Sequence, residues 1–390
     1  MNQLLTTLAS ITMSLEEAGI PYTVTGESAL ALQGMDVPAE RIEVLVQWDV
    51  FSVCYELFQH EDCTPIEKDA TSASFHMLFQ AVPATISCLF NTTVRTDPYR
   101  ISVDGIWCKS LYSYLYGADF SAYQEEIVAF LLKKQQALTE HNEQAWNQNN
   151  YHALIERYGE PAKVAERIKK NPKWRLHPFY KYMDDLEGKQ VMHLLGSNGV
   201  KATAMALLGA NVTVVDFSKE NALFADEVAK AAGVSLDYVV SDVFSVNEEK
   251  YARQYDYVLM ELGVLHYFIT LEPLMQKVKK FLAAGGKFVL HEFHPISTKL
   301  ITSTGKKHKV TGNYFDPELS YNTVAFSKHM SESVQGELMQ TVQRKWTIGE
   351  VVTAAASSGL HIEVLEEEPN HKLHDIGLPK TFTLVASALS

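Results

Sequence analysis

The chain has 390 residues, enough for two domains that each bury a core. Its 46% hydrophobic and 21% charged residues are those of a soluble globular protein, and no apolar run approaches the roughly 18 residues needed to cross a bilayer as a helix. The net charge of −13 is concentrated at the front: residues 1–150 carry 19 acidic and 7 basic side chains, the remainder 28 and 27. That acidic half repels a phosphate backbone and argues against non-specific nucleic-acid binding.

In chain order, Leu4, Leu5, Leu8, Ile11 and Leu15 recur at helical spacing, so the first segment reads as an amphipathic helix rather than a signal peptide. Cys54, Cys63, Cys88 and Cys108 form no C-x-x-C pair, which fits a reduced, cytoplasmic protein. The polar stretch 133–150 suggests a boundary near residue 140, giving a smaller α+β domain over 1–140 and a second domain over 141–390. From there strands at 189–195, 211–217, 236–244, 255–262 and 286–293 alternate with helical patterns, the second capped by Ser218 and stopped by Gly233. This is the signature of an α/β, Rossmann-like doubly wound sheet. A helix at 347–359 and two terminal strands follow, the strands antiparallel because their linker is too short for a crossover helix.

Ligands of such sheets bind beyond the carboxyl ends of the strands. The turn after the first strand, "LLGSNG", is too poor in glycine for the G-x-G-x-x-G that cradles a pyrophosphate, and no P-loop lysine follows. Asp216 ends the second strand, where a carboxylate can accept both ribose hydroxyls, and Asp242 follows the third, where it could bond an adenine amino group. Adenosine without phosphates points to S-adenosylmethionine.

Residues from about 145 to 390 resemble a class I S-adenosylmethionine-dependent methyltransferase. The resemblance places His193 at the family's first-strand acid, Leu195, Ser197 and Gly199 at the three glycines, with Gly196 between, and Asp216 at the ribose acid, followed by Phe217. Asp242 and Val243 match the adenine pair, and "YDYVLMELGVLHYF" the fourth strand with its loop, so Glu261 and Leu262 fall near the cofactor. The Gly285-Gly286 turn, fifth strand and antiparallel hairpin also follow the family order. S-adenosylhomocysteine is the implied product.

Candidates for the chemistry lie at strand ends. His266 and Tyr267 follow the fourth strand, on the side of the methyl acceptor in many relatives. Glu292 and His294 alternate with His291 and Phe293 on the fifth, so one member of the first pair is expected to face the crevice. His291 and His294 fall on opposite faces, which disfavours a metal, and none is expected. Tyr151, Arg157 and Tyr158 in the lead-in helix are candidates for the cofactor carboxylate or the substrate, and Arg344 and Trp346 for the acceptor pocket. The stretch 297–326 reads as a lid. The basic stretches 167–175 and 305–309 read as solvated faces or local anion sites.

Residues 17–140 resemble, more faintly, a nucleotidyltransferase domain. Thr25, Gly26, Glu27 and Ser28 stand at its turn, but Arg41-Ile42-Glu43 replaces D-x-D and Ser87 the third acid, so the resemblance implies a degenerate domain without transfer activity. The sequence thus favours methyl transfer to a small-molecule acceptor. Two alternatives remain: a protein or RNA acceptor recognised by the front domain, and a non-catalytic cofactor-binding regulator. A homodimer stays open as an assembly, and no membrane partner is expected.

Overall fold

The computed structural model describes residues 3–116, 123–304, 307–330, 338–370 and 377–388. Two compact units make up the chain, one of Met1–Phe130 with Phe315–Glu318, the other of Leu131–Tyr314 with Leu319–Ser390. The division falls inside one continuous helix, Gln124–Trp146, which runs through the polar segment where the sequence suggests a break. Polar residues of this helix are buried because they have partners. Gln135 donates to the Tyr267 carbonyl and accepts from the Ile269 amide, and Asn142 exchanges hydrogen bonds with the backbone of Val342.

The first unit is a mixed sheet with helices. Tyr22–Thr25 pairs antiparallel with Ile42–Val46, which runs parallel to Val82–Leu89. The helix Gln3–Glu17 buries Leu4, Leu8, Ile11 and Leu15, the stripe its spacing predicts. A turn at Gly26, with φ +58°, opens the helix Gly26–Leu32, and the carboxylate of Glu43 lies directly against that glycine. Burial raises the pKa of Glu43 above the usual carboxylate range.

In the second unit the main sheet comprises β1 (Gln190–Leu194), β2 (Asn211–Asp216), β3 (Asp237–Val240), β4 (Tyr255–Glu261), β5 (Leu282–Phe293), β6 (Leu360–Pro369) and β7 (Pro379–Ala388). Their spatial order is β3-β2-β1-β4-β5-β7-β6. Strands β1 to β5 are parallel, while β7 runs antiparallel to both β5 and β6. The central strands are apolar on both faces, as a sheet covered by helices requires: Val191, Met192, Leu194, Val214, Val258, Leu259, Val289 and Leu290 are fully enclosed. The helix Lys219–Ala232 starts at Ser218, whose side chain accepts from the Asn221 amide, and stops at Gly233 in a left-handed conformation.

One local difference from the sequence reading has a physical cause. Strand β3 ends at Val240 rather than 244, because the Asp242 carboxylate accepts from the Phe244 amide and starts a one-turn 3-10 helix, Val243–Ser245. The stretch 297–326, read as a lid, is described except at residues 305–306. It holds a hairpin (Ile301–Thr304 with Lys307–Val310) and a strand, Leu319–Asn322, paired with Thr341–Arg344. Residues 305–306 of the second basic stretch and 371–376 of the terminal linker lie outside the described residues.

Candidate active site

Strand order reverses between β1 and β4, and there the chain forms a cavity of about 940 Å³. Its floor is the turn after β1. Leu195 donates its amide to the Val215 carbonyl, then the chain passes through positive φ at Leu195 (+51°), Ser197 (+48°) and Gly199 (+69°). These are the three positions aligned with the family's glycines, and two hold the left-handed conformation with side chains in place. Gly196 is needed for a different reason: a Cβ there would lie 2.6 Å from Val214 and 2.9 Å from His193. At Gly199 a Cβ would meet that of Ala225 at 2.4 Å.

Asp216 locks the turn from the end of β2. Its Oδ2 accepts from the Ser197 amide at 3.0 Å, and its Oδ1 from the Ser218 amide at 2.9 Å and from Asn221 at 3.4 Å. Burial raises its pKa, while those donors pull it down. The carboxylate, 7% exposed, still lines the cavity beside Phe217. Gly196, Ser197, Glu261, Leu262, His266, Tyr267 and Tyr158 line it as well.

His193 lies beneath the turn, 1% exposed, and neither ring nitrogen has a hydrogen-bond partner among the described residues. Burial, with the Lys201 charge nearby, lowers its pKa to about 3, so it is a neutral imidazole. Glu261, at the end of β4, reaches to 3.7 Å from His193 Nε2 and forms an ion pair with Lys201. Burial lowers Lys201 to about 7.

Of the expected catalytic set, His266 alone lines the cavity. Burial lowers its pKa below the ordinary 6.5, Glu292 opposing and Lys345 and Lys299 adding to the shift. Glu292 is a structural carboxylate, accepting from the amides of Gly263, Val264 (2.9 Å), Leu265 (3.2 Å) and Phe293 (2.6 Å), which fixes the loop that carries His266. His294 bonds Glu367 at 2.6 Å and accepts from the Ile296 amide. Phe293, on the other face of the strand, lines the cavity instead of that pair.

The expected substrate residues divide in the same way. Tyr158 packs edge-on against Phe326 at 5.8 Å, and Trp146 against Phe326 at 6.0 Å and Tyr267 at 6.2 Å, an aromatic wall. The Tyr267 hydroxyl accepts from Trp146 at 3.1 Å, and burial pushes its pKa to about 12. Tyr151 is held by Glu227 at 2.6 Å, away from the cavity. Arg344 is buried in an ion pair with Glu350 and lies 3.6 Å over Trp346, whose indole donates to the carbonyls of Leu265 and Phe268. These contacts stabilise the helix cap and the loop, and Gln343 is the member of that stretch lining the cavity. Asp242 and Val243 cap their own turn and do not line it. Arg175, His177, Trp174 and Phe326 line the cavity without having been singled out in the sequence, because separate segments bring them together. Among the described residues no group of three or more His, Cys, Asp or Glu side chains could hold a metal ion.

Residues 194–290 match the family model described as "Methyltransferase domain". No curated protein matches the chain. Solved structures it is similar to include an S-adenosylmethionine dependent methyltransferase from Mesorhizobium loti (18% identity, 56% of this chain and 99% of that one, TM-score 0.43). Another, from Listeria monocytogenes and ascribed to the same class, is 19% identical over 56% and 99% (TM-score 0.45). The magnesium protoporphyrin IX methyltransferase of Synechocystis PCC 6803, with bound SAH, is 14% identical over 64% and 97% (TM-score 0.38). The residues that match the methyltransferase-domain model run from the end of β1 into β5 of the doubly wound sheet and include the left-handed turn.

Proposed function

We propose that the protein transfers the methyl group of S-adenosylmethionine to a small-molecule acceptor held in the same cavity, with His266 as the proton acceptor. The observation that carries this reading is the cavity itself. Its volume of about 940 Å³ lies at the upper end of small-ligand sites, so cofactor and a compact acceptor share it between the β1 turn and the aromatic wall.

The residues fit the cofactor. The backbone of 195–199 already holds the conformation that the family gives to glycine, and Asp216 keeps acceptor capacity on a carboxylate oriented by three donors. Asp216 would take the ribose hydroxyls, with Phe217 toward the adenine, and Ser197, Glu261 and Leu262 toward the methionine end. When bound, the sulfonium supplies an electrophilic methyl group.

The chain's part is to position the acceptor and exclude water. Tyr158, Trp146, Tyr267 and Phe326 give an apolar wall of edge-to-face rings against which an acceptor is oriented for in-line displacement. His266 enters the reaction neutral, because burial disfavours its cation, and can receive the proton of a hydroxyl or amine acceptor. Glu292 holds the loop and so the ring's position. In the front unit a single Glu43 at the D-x-D position cannot assemble a two-metal site, so that unit serves as an accessory or recognition module.

A metabolite extract incubated with radiolabelled S-adenosylmethionine tests this reading. Label in a low-molecular-weight product is expected, and label confined to added protein or RNA would overturn the acceptor assignment.

A further inference from the structure

Two of the cations lining the cavity, Arg157 and Arg175, have no carboxylate paired with them among the described residues. Arg157 lies 5.7 Å over the Tyr158 ring and Arg175 5.0 Å over Trp174, so each guanidinium is laid on an aromatic face. Neither arginine has an ion-pair partner among the described residues, and the Nε of Arg175 is enclosed with no hydrogen-bond partner. Burial lowers the pKa of Arg175, Arg167 adding to the shift and Tyr158 opposing it.

The cavity's own carboxylates do not answer that charge. Asp216 is committed to Ser197, Ser218 and Asn221, and Glu261 to Lys201. Each guanidinium is a fork of donors that a planar oxyacid group satisfies bidentately, and one of the two has an enclosed orphan donor. Tyr158 packs edge-on against Phe326 in the aromatic wall, so Arg157 borders the surface on which the acceptor is oriented.

We infer that the methyl acceptor bears an anionic oxyacid group, a carboxylate or phosphate, bound by Arg157 and Arg175 while its apolar body lies against the wall of Tyr158 and Phe326. This rests on the small-molecule reading above and specifies its substrate class. The basic stretch ending at Arg175 is thereby an anion site at its last residue rather than only a solvated face.

The test uses the full-length protein saturated with S-adenosylhomocysteine, titrated calorimetrically with matched pairs: benzoate and benzamide, indole-3-carboxylate and indole-3-carboxamide, phenyl phosphate and phenol. Each anion should bind at least about tenfold more tightly than its neutral partner, the scale of a charge-assisted bidentate contact. The carboxylate and phosphate arms then rank the two oxyacids. Arg157→Met and Arg175→Met should abolish the preference while leaving S-adenosylhomocysteine affinity unchanged. Arg175→Lys, which keeps charge but loses the fork, should retain part of it.

Equal binding within every pair overturns the inference. So does a fall in S-adenosylhomocysteine affinity in the arginine variants, because the fork would then belong to the cofactor's own carboxylate. Should S-adenosylhomocysteine itself give no binding heat, the cofactor reading fails first and this inference with it. If Arg175→Met does not fold, the matched pairs on the unaltered protein still decide the matter.

Discussion

Replacing Asp216 by Asn probes the junction between turn and cofactor with a change of one atom. In the folded protein Oδ2 faces the Ser197 amide at 3.0 Å and Oδ1 faces the Ser218 amide at 2.9 Å, both donors. An asparagine can offer an oxygen to only one of them, so its NH₂ group is turned against the other N–H. Leaving one buried backbone donor unsatisfied costs about 1–3 kcal/mol. Part of this is returned in stability, because burial already disfavours the charged Asp216 and the neutral amide escapes that penalty. No such return exists for the ribose, whose hydroxyls need acceptors. S-adenosylhomocysteine affinity should therefore fall about 5-fold to 150-fold, while unfolding in urea stays cooperative. Isothermal titration with Asp216→Asn and the unaltered protein gives the ratio directly. A dissociation constant within about twofold of the original would refute the placement of adenosine at β2.

The remaining predictions concern the turn, the loop and the buried histidines. Gly199→Ala adds a Cβ 2.4 Å from Ala225 in a left-handed residue, whereas Gly233→Ala meets nothing within 4 Å at a similar φ. Urea unfolding should show both losing about 1–2 kcal/mol from φ, and Gly199→Ala about 1–3 kcal/mol more from packing. Glu292→Ala strands the amides of Gly263, Val264 and Leu265 and releases the His266 loop. It should lower stability by about 2–4 kcal/mol and reduce kcat more than it raises KM. If His266 is the base, kcat should rise with pH through a value below 6.5 and then plateau, and His266→Asn should erase that limb. His193, held to about 3 when folded, takes up its proton only on unfolding in the window between about 3 and 6.5. Stability is then fully present above 6.5 and lost as pH falls, on the order of a few kcal/mol by pH 3. Thermal melts of His193→Leu should be flatter across that window.

The sheet was legible because alternating short apolar runs and capped helices state a parallel fold locally. Ser218, Gly233 and the strand-end Asp216 stand where the chain reading puts them. What could not be read is what depends on partners far along the chain. Glu292 and His294 look catalytic as a motif, yet Glu292 is consumed by amides of the 263–265 loop and His294 by Glu367. Arg344 and Trp346 are consumed by Glu350 and by carbonyls after β4. The Gln- and Asn-rich stretch of the helix Gln124–Trp146 imitates a linker, since polar burial through Gln135 and Asn142 leaves no apolar periodicity. The missing glycines were visible as departures, but only φ at Leu195 and Ser197 shows that the backbone keeps its path without them. Arg157 and Arg175 meet at one cavity from separate helices, which no spacing rule encodes.

The most direct test of the central claim is a crystal structure of the protein with S-adenosylhomocysteine. The adenosine should lie at the ends of β1 and β2, its ribose hydroxyls within hydrogen-bond distance of Asp216 and its sulfur facing the cavity that His266 lines. Ligand bound elsewhere, or a ribose with no contact to Asp216, would contradict it.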